Sequence, residues 1–515
     1  MKQRQVLNII KVNYDLVFGF LLFISYRFLF TWFLWRGRGV PPEPDDSFFY
    51  LASAHSFLHP QTFEEFRLIP FSIWLNLISL ITRTNLEKAY QINFYLGPFI
   101  MFPAIYLFLK ALETNRKVRL LLLLIITLYS GSGAYHGFYW VVPSYFQLAF
   151  FFIIFSMIIS KNSQSFLKIF LFSTLFIFIH PTSIFASLIF FVYIFQVFLF
   201  DRKTFRQHSK RFLFIFLTIL LCFSVYYLLG RSFSASGSPE SFKSTLDLVK
   251  KFLSGNTNFI SWPVVWKEYF SIFFSNPISI IAYISVFVFT FYLKNTRIIR
   301  IFASCLLLVI LGALIPYGSR TLGFLWPITF ILIGYGLYGL YQFLSNQYQV
   351  LKFIVVIPLI CVVYSVSTLN QISINFMNNN KNYVWDRICP QKIKNDTVFF
   401  TGLEAQNAFS LYGLEKQNTT FLSSDNLPLF LKENSILVKT RQESPQKEKL
   451  SGFQRFLAKN ITRGIPQPTT GSSNNVWTRG PLSDAQIDEN LQNQSLKLNK
   501  YYNCGHFEIL KVEKT

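Results

Sequence analysis

Two adjacent carboxylates, Asp45 and Asp46, stand just behind a hydrophobic run long enough to cross a bilayer. That run covers residues 15–35, and Pro41, Pro42 and Pro44 stop its helix before the acids. A second helix is predicted over Ser47–Leu58, which puts the acids at its N-terminus. One of them can accept hydrogen bonds from free backbone N–H groups there, and the helix dipole favours the ionised form. Burial beside hydrocarbon opposes ionisation. Carboxylates at a membrane edge are costly to desolvate and usually have a task. Two acids in unequal surroundings permit two roles: a general base, and an orienting or cation-pairing group. An N-cap with a solvated neighbour accounts for the same residues.

Other polar groups recur at the ends of hydrophobic runs. Gly318-Ser319-Arg320-Thr321 lies between two of them. The planar fork of Arg320 suits a phosphate, although a lone arginine at a helix end also serves as a snorkelling anchor. His180-Pro181-Thr182 interrupts a hydrophobic tract, either as a capped turn or as a contact to a headgroup or sugar. Tyr135 and His136 belong to the aromatic stretch 133–140, which suits an interfacial belt or stacking on sugar rings. Glu64, Glu65 and Arg67 can position an acceptor or pair with one another. The loop 231–268 carries Trp262, Trp266 and several charges, and can be a solvated loop or a cover over a site. No phosphate-binding P-loop, H-E-x-x-H or G-x-S-x-G motif occurs. Two carboxylates without further clustered acids or histidines leave room for a divalent metal but do not call for one.

The elements that carry these groups follow from composition. Of 515 residues, 52% are hydrophobic, 19% aromatic and only 14% charged, against about a quarter charged in soluble domains. Apolar runs of roughly bilayer length recur to residue 368, about eleven in all. They fall near 15–35, 90–111, 119–130, 143–160, 166–180, 183–200, 212–230, 270–293, 300–317, 322–342 and 351–368. Arg27 is one of the few charges inside a run. The N-terminus is basic, and the apolar run behind it is too long for a cleaved signal, so it reads as a retained first span.

The net charge of +23 sits mostly in short loops, the topology signal of membrane proteins rather than of nucleic-acid binding. Its expected partners are membrane lipids or a lipid-linked phosphate. Residues 68–81 are the doubtful run. Treated as interfacial, they leave the basic loops (114–119, 201–211, 294–300) and the N-terminus on one side, the cytoplasm. Asp45, Asp46, Glu64, Arg67, the turn 131–143, His180, the loop 231–268, Arg320 and everything after 368 then share the opposite face.

Residues 369–515 differ in kind. They are rich in Asn, Gln, Ser and Lys and lack an apolar run. Strands are predicted at Asp396–Gly402, Ser435–Lys439 and Phe507–Val512, with a helix over Glu404–Leu414. Two units result: a helical membrane unit, 1–368, and a small outer α/β domain, 369–515. Cys222, Cys305 and Cys361 lie in apolar runs as small core residues. Cys389 and Cys504 lie in the tail and can pair if it faces an oxidising compartment.

In this order of parts the chain resembles the GT-C class of membrane glycosyltransferases. The resemblance rests on the acidic pair within Pro44-Asp45-Asp46-Ser47-Phe48-Phe49-Tyr50 and on Arg67-Leu68-Ile69-Pro70-Phe71-Ser72-Ile73-Trp74, similar to a proline-bearing juxtamembrane helix. It rests also on His180-Pro181, on Arg320 after Pro316-Tyr317, and on the outer C-terminal domain. Many relatives have Asp-Glu where this chain has Asp45-Asp46, which leaves open which acid is the base. The resemblance implies an all-α polytopic membrane fold with a helical first outer loop, most readily in a plasma membrane. It implies a polyprenyl-phosphate-linked sugar donor, with transfer on the outer face to a glycan, lipid or protein acceptor. Asp45 would be the base, Asp46 the second acid, and Arg320 the phosphate ligand that steadies the leaving group. Two other functions fit the composition. A transporter or flippase for lipid-linked saccharides would place charges or broken helices near mid-bilayer. A surface-glycan polymerase would use a late loop such as 231–268.

Overall fold

The computed structural model of the protein describes residues 14–36, 44–55, 57–58, 63–113, 115–129, 138, 141–160, 165–179, 183–234, 277–293, 295–312, 322–347, 355–364, 366, 398–400, 419–421, 433–440, 484–504 and 507–514. Among the described residues these helices come first: α1 (Tyr14–Trp35), α2 (Pro44–His55), α3 (Phe63–Thr82), α4 (Leu86–Leu112), α5 (Arg116–Leu128), α6 (Pro143–Ile159), α7 (Phe166–Ile179), α8 (Ser183–Phe200), α9 (Arg202–Ser234), α10 (Pro277–Tyr292), α11 (Thr296–Gly312) and α12 (Leu322–Gln347), with residues 356–364 also helical. They share one apolar core running from Phe23 to Val366. Much of it is aromatic, with Phe151, Phe155, Phe176 and Phe190 meeting ring to ring.

Among the described residues four helices are long and apolar enough to cross a membrane: Tyr14–Trp35, Leu86–Leu112, Arg202–Val225 and Gly323–Asn346. Five shorter apolar stretches lie within α3, α6, α7, α8 and α10. The helices follow the apolar runs read from the sequence, but the expected count of about eleven spans exceeds the four that meet the length a bilayer requires. Large apolar side chains remain on the outside along α1, α9 and α10, among them Leu29, Leu221 and Val288.

Three helix starts differ from expectation. Helix α2 begins at Pro44 rather than Ser47, because proline is well suited to the first helical position, where its missing N–H costs nothing. Helix α3 reaches back from the doubtful run to Phe63 and holds Pro70 internally. It lies against α2, α4, α7 and α9, burying Leu68, Phe71, Leu75 and Ile78 and leaving Leu80 and Ile81 outside. Helix α9 starts at Arg202, ahead of its apolar part. There Asp201 accepts a hydrogen bond from the backbone N–H of Thr204 (3.2 Å) and caps it. Burial works against ionisation of Asp201, but the bonds from Thr204 and nearby Arg300 outweigh it and hold the carboxyl below its ordinary range.

Contacts between helix ends define two poles. At one pole Arg119 of α5 pairs with Asp15 of α1 (2.8 Å) and donates to the Glu113 carbonyl (2.9 Å). There too Arg297 of α11 donates to the Ala111 carbonyl (3.1 Å) and Tyr335 of α12 to Glu113 (3.0 Å). Arg211 of α9 donates to the Ile158 carbonyl (3.2 Å), and Arg300 faces Asp201 (3.6 Å). The described parts of the basic segments, 115–119, 201–211 and 295–300, thus gather at one pole. Helices α10 and α12 meet closely, and a Cβ at Gly336 or Gly339 would run into the backbone carbonyl of Val286 or Phe289.

Among the described residues a five-stranded mixed sheet lies near the C-terminus, in the order β2-β1-β3-β5-β4. Its strands are β1 (Val398–Phe400), β2 (Thr419–Phe421), β3 (Ile436–Thr440), β4 (Leu496–Cys504) and β5 (Phe507–Lys514). The first three are parallel, whereas β3-β5 and β5-β4 are antiparallel. Helix α13 (Asp484–Asn493) buries Ile487 and Leu491 on Leu437, Leu510 and Val512. The three expected strands are present. Strands β2 and β4 and helix α13 were not foreseen, and the expected helix 404–414 lies outside the described residues. Cys222 and Cys305 are buried free thiols, as their apolar runs predicted. Cys389 and the side chain of Cys504 fall outside the description.

Candidate functional site

The pole opposite the basic one is where α1 ends, α2 begins and α6 begins. Its construction starts with Trp35, the last residue of α1, whose ring meets Tyr90 and Phe94 of α4 edge to face. One turn into α2, the buried Ser47 hydroxyl lies 3.1 Å from the Tyr90 hydroxyl. That bond joins α2 to α4. Tyr50 of α2 meets Phe71 of α3, and Phe71 and Trp74 meet Phe146 of α6. Asn76 of α3 donates to the Ala54 carbonyl (2.7 Å), satisfying a carbonyl at the end of α2. Asn93 of α4, wholly buried, accepts from the Trp74 indole (2.8 Å) and donates to the Val141 carbonyl (2.6 Å). Amphipathic α2 is therefore held by α3 and α4, and the entry to α6 is held by Asn93.

Arg27 lies in the interior of α1 and is 2% exposed. Its guanidinium donates to the carbonyls of Thr127 (2.7 Å) and Tyr129 at the C-terminal end of α5. Its carbon sits 5.2 Å from the ring centres of Phe23, Tyr26 and Phe138. Two effects make this arrangement stable: the carbonyls left over at a helix end accept hydrogen bonds, and the negative end of the dipole attracts a cation. Aromatic faces supply the rest of the shell. The charge noticed inside the first run is thus tied to the end of a helix.

The backbone puts positions 45 and 46 in the first turn of α2, immediately before Ser47. The side chains of Asp45, Asp46 and Glu64 lie outside the description, as do residues His180, Tyr135, His136 and Arg320 entirely. Arg67 is half-buried on α3. No distance between the acids and Arg320 can be stated from the described residues. Ser47, Tyr90, Trp74 and Asn93 were missed as members of this pole. Serine directly after two acids and a lone Asn in an apolar run were the only signals for them. Among the described residues no three His, Cys, Asp or Glu side chains come together.

Fold and pole together define a mostly helical membrane protein with a small mixed sheet near its C-terminus. No family model matches the sequence, and no curated protein does. Among solved structures the chain is similar to the oligosaccharyltransferase of Archaeoglobus fulgidus, crystallised tethered by a disulfide bond to an acceptor peptide containing the NVT sequon. Identity is 10% over 83% of this chain and 68% of that one, with a TM-score of 0.47. At that distance the likeness gives no residue a role.

Proposed function

We propose that the protein is a GT-C-type integral membrane glycosyltransferase. It moves a sugar from a polyprenyl-phosphate donor to an acceptor on the outer face of the membrane. In this reading residues 1–368 form the catalytic membrane unit and 369–515 an outer domain. The N-terminus faces the cytoplasm. Asp45 takes the proton of the acceptor hydroxyl as its oxygen attacks the anomeric carbon, and the bond to the donor phosphate breaks with inversion. Asp46 orients or pairs with a cation. Arg320 neutralises the charge that grows on the leaving phosphate.

The observation that carries the reading is the location of positions 45 and 46. They open a helix anchored through Ser47 and Tyr90, at the pole opposite the basic one. By the positive-inside rule the basic pole is cytoplasmic, so the acids belong outside, where a lipid-borne headgroup arrives. The transporter reading loses its best residue, because Arg27, the mid-helix charge, holds the end of α5.

The test is transfer by membranes carrying Asp45→Asn, with a labelled polyprenyl-phosphate sugar as donor. Loss of transfer of 10²-fold or more, with normal amounts of protein, is expected for removal of a general base. Transfer at the wild-type rate would sink the assignment. Arg320→Ala should lower turnover while Arg320→Lys restores part of it, because lysine keeps the charge but not the fork.

A further inference from the structure

We propose that the N-terminus of α6, with the hydroxyls of Ser144 and Tyr145 and the charge of Arg27, is an oxyanion subsite that takes a phosphate group. The helix is 17 residues long and carries no side-chain cap: Val142 at the N-cap makes no such bond, and Pro143 follows it. Pro143 has no N–H, so the N–H of Ser144 and the positive end of the dipole supply the potential there. The Tyr145 backbone N–H is used by the Val142 carbonyl (2.9 Å).

The second observation is independent of the helix end. The Tyr145 side chain is buried, the residue 1% exposed, and its hydroxyl has no hydrogen-bond partner among the described residues. The Ser144 hydroxyl is buried and likewise without one. Buried hydroxyls are nearly always bonded, so two orphans in consecutive residues call for an explanation. Helical side chains lean toward the N-terminus of their helix, which carries both hydroxyls back over the first turn. Arg27 lies against the ring of Phe138 (5.2 Å), a few residues before the start of α6, so that cation stands at the same pole. On the other side α4 closes the compartment. The Tyr145 ring carbon Cε1 stands 3.2 Å from where a Cβ of Gly97 would be.

Hydroxyl donors, an uncapped helix start and a buried arginine charge together select an oxyanion over a cation or a neutral sugar hydroxyl. The subsite lies beside Val141, which Asn93 holds at the pole of α2. A phosphate can reach that pole as a free ion or on a lipid. Its identity as a lipid phosphate rests on the function proposed above; the anion chemistry does not.

The experiment uses the full chain, purified in detergent and in phosphatidylcholine vesicles. Binding of inorganic phosphate is measured in the first, and of a polyprenyl phosphate added to the vesicles in the second. Tyr145→Phe keeps the ring and should weaken binding about tenfold, the effect of losing one hydrogen bond to a charged group. Ser144→Ala should weaken it several-fold, and both variants should unfold at the wild-type temperature. A loss seen with both probes identifies the phosphate itself as the ligand, and a loss confined to the vesicles identifies the lipid-borne form. Wild-type binding by Tyr145→Phe in both arms overturns the subsite, as does failure of the wild type to bind either probe. Retained transfer by Asp45→Asn would end the enzymatic reading, whereas the subsite stands or falls by phosphate binding to the wild type and to Tyr145→Phe.

Discussion

Asp15→Asn tests how the basic pole is held. Asp15 is 1% exposed, and one of its oxygens receives Arg119 Nε and Nη2, both at 2.8 Å, and the Tyr106 hydroxyl at 3.3 Å. Arg119 is 6% exposed, and its other described bond goes to the Glu113 carbonyl. Replacing the carboxylate by an amide keeps the volume but leaves a buried guanidinium without its counter-charge. Breaking a buried pair from one side costs about 3–5 kcal/mol. Replacing both partners by apolar residues of similar size, Asp15→Leu with Arg119→Met, removes the charge and its desolvation together. The double variant should lie near wild type or above it. The assay is equilibrium unfolding in mixed detergent micelles, followed by the fluorescence of the nine tryptophans. A full double-mutant cycle is run, and its coupling energy should be about 3 kcal/mol or more. A loss below about 1 kcal/mol for Asp15→Asn, or a coupling near zero, would refute the view that this pair joins α1 to α5 across a water-free interface.

Two further outcomes follow from close packing and buried amides. Gly336→Ala should destabilise by about 1–3 kcal/mol and loosen α10 from α12, because the new Cβ meets the Val286 carbonyl, which cannot move alone. Cysteine cross-linking between α10 and α12 would report the loosening, and unchanged cross-linking and stability would count against it. Asn93→Ala orphans the Trp74 indole and the Val141 carbonyl. It should cost about 1–3 kcal/mol for each group left unsatisfied, read as a lowered unfolding midpoint, and a cost under about 1 kcal/mol would mean that water replaces the amide.

Much of the helical part was legible because an apolar run is a local property. Helices α1, α4, α5, α6, α7 and α8 lie on the runs that length and hydropathy mark, with ends within a few residues, and α10 and α12 lie on theirs with one end further off. Where ends differ the cause is also local: Pro44 opens α2, and Asp201 caps α9 further upstream than the apolar pattern starts. The C-terminal sheet was half legible. Short β-branched strands such as Ile436–Thr440 announced themselves. Strand β4, Leu-Lys-Leu-Asn-Lys-Tyr-Tyr-Asn-Cys, did not, because its Lys and Asn positions resemble the surrounding polar tail until β5 pairs with it.

The candidate site divides in the same way. Adjacent acids after a membrane-length run are visible in the primary structure, and so are the basic character of the loops and the lone charge of Arg27. Nothing in the order of residues says that Arg27 reaches the end of α5 a hundred residues later. The same is true of Ser47 meeting Tyr90, of Asn93 holding Val141, or of Tyr145 keeping an unbonded hydroxyl. Hydrophobicity decides that a segment leaves water, and it does so residue by residue. Which polar groups meet inside depends on helix rotation and relative depth, which side-chain packing sets only once the whole bundle has assembled.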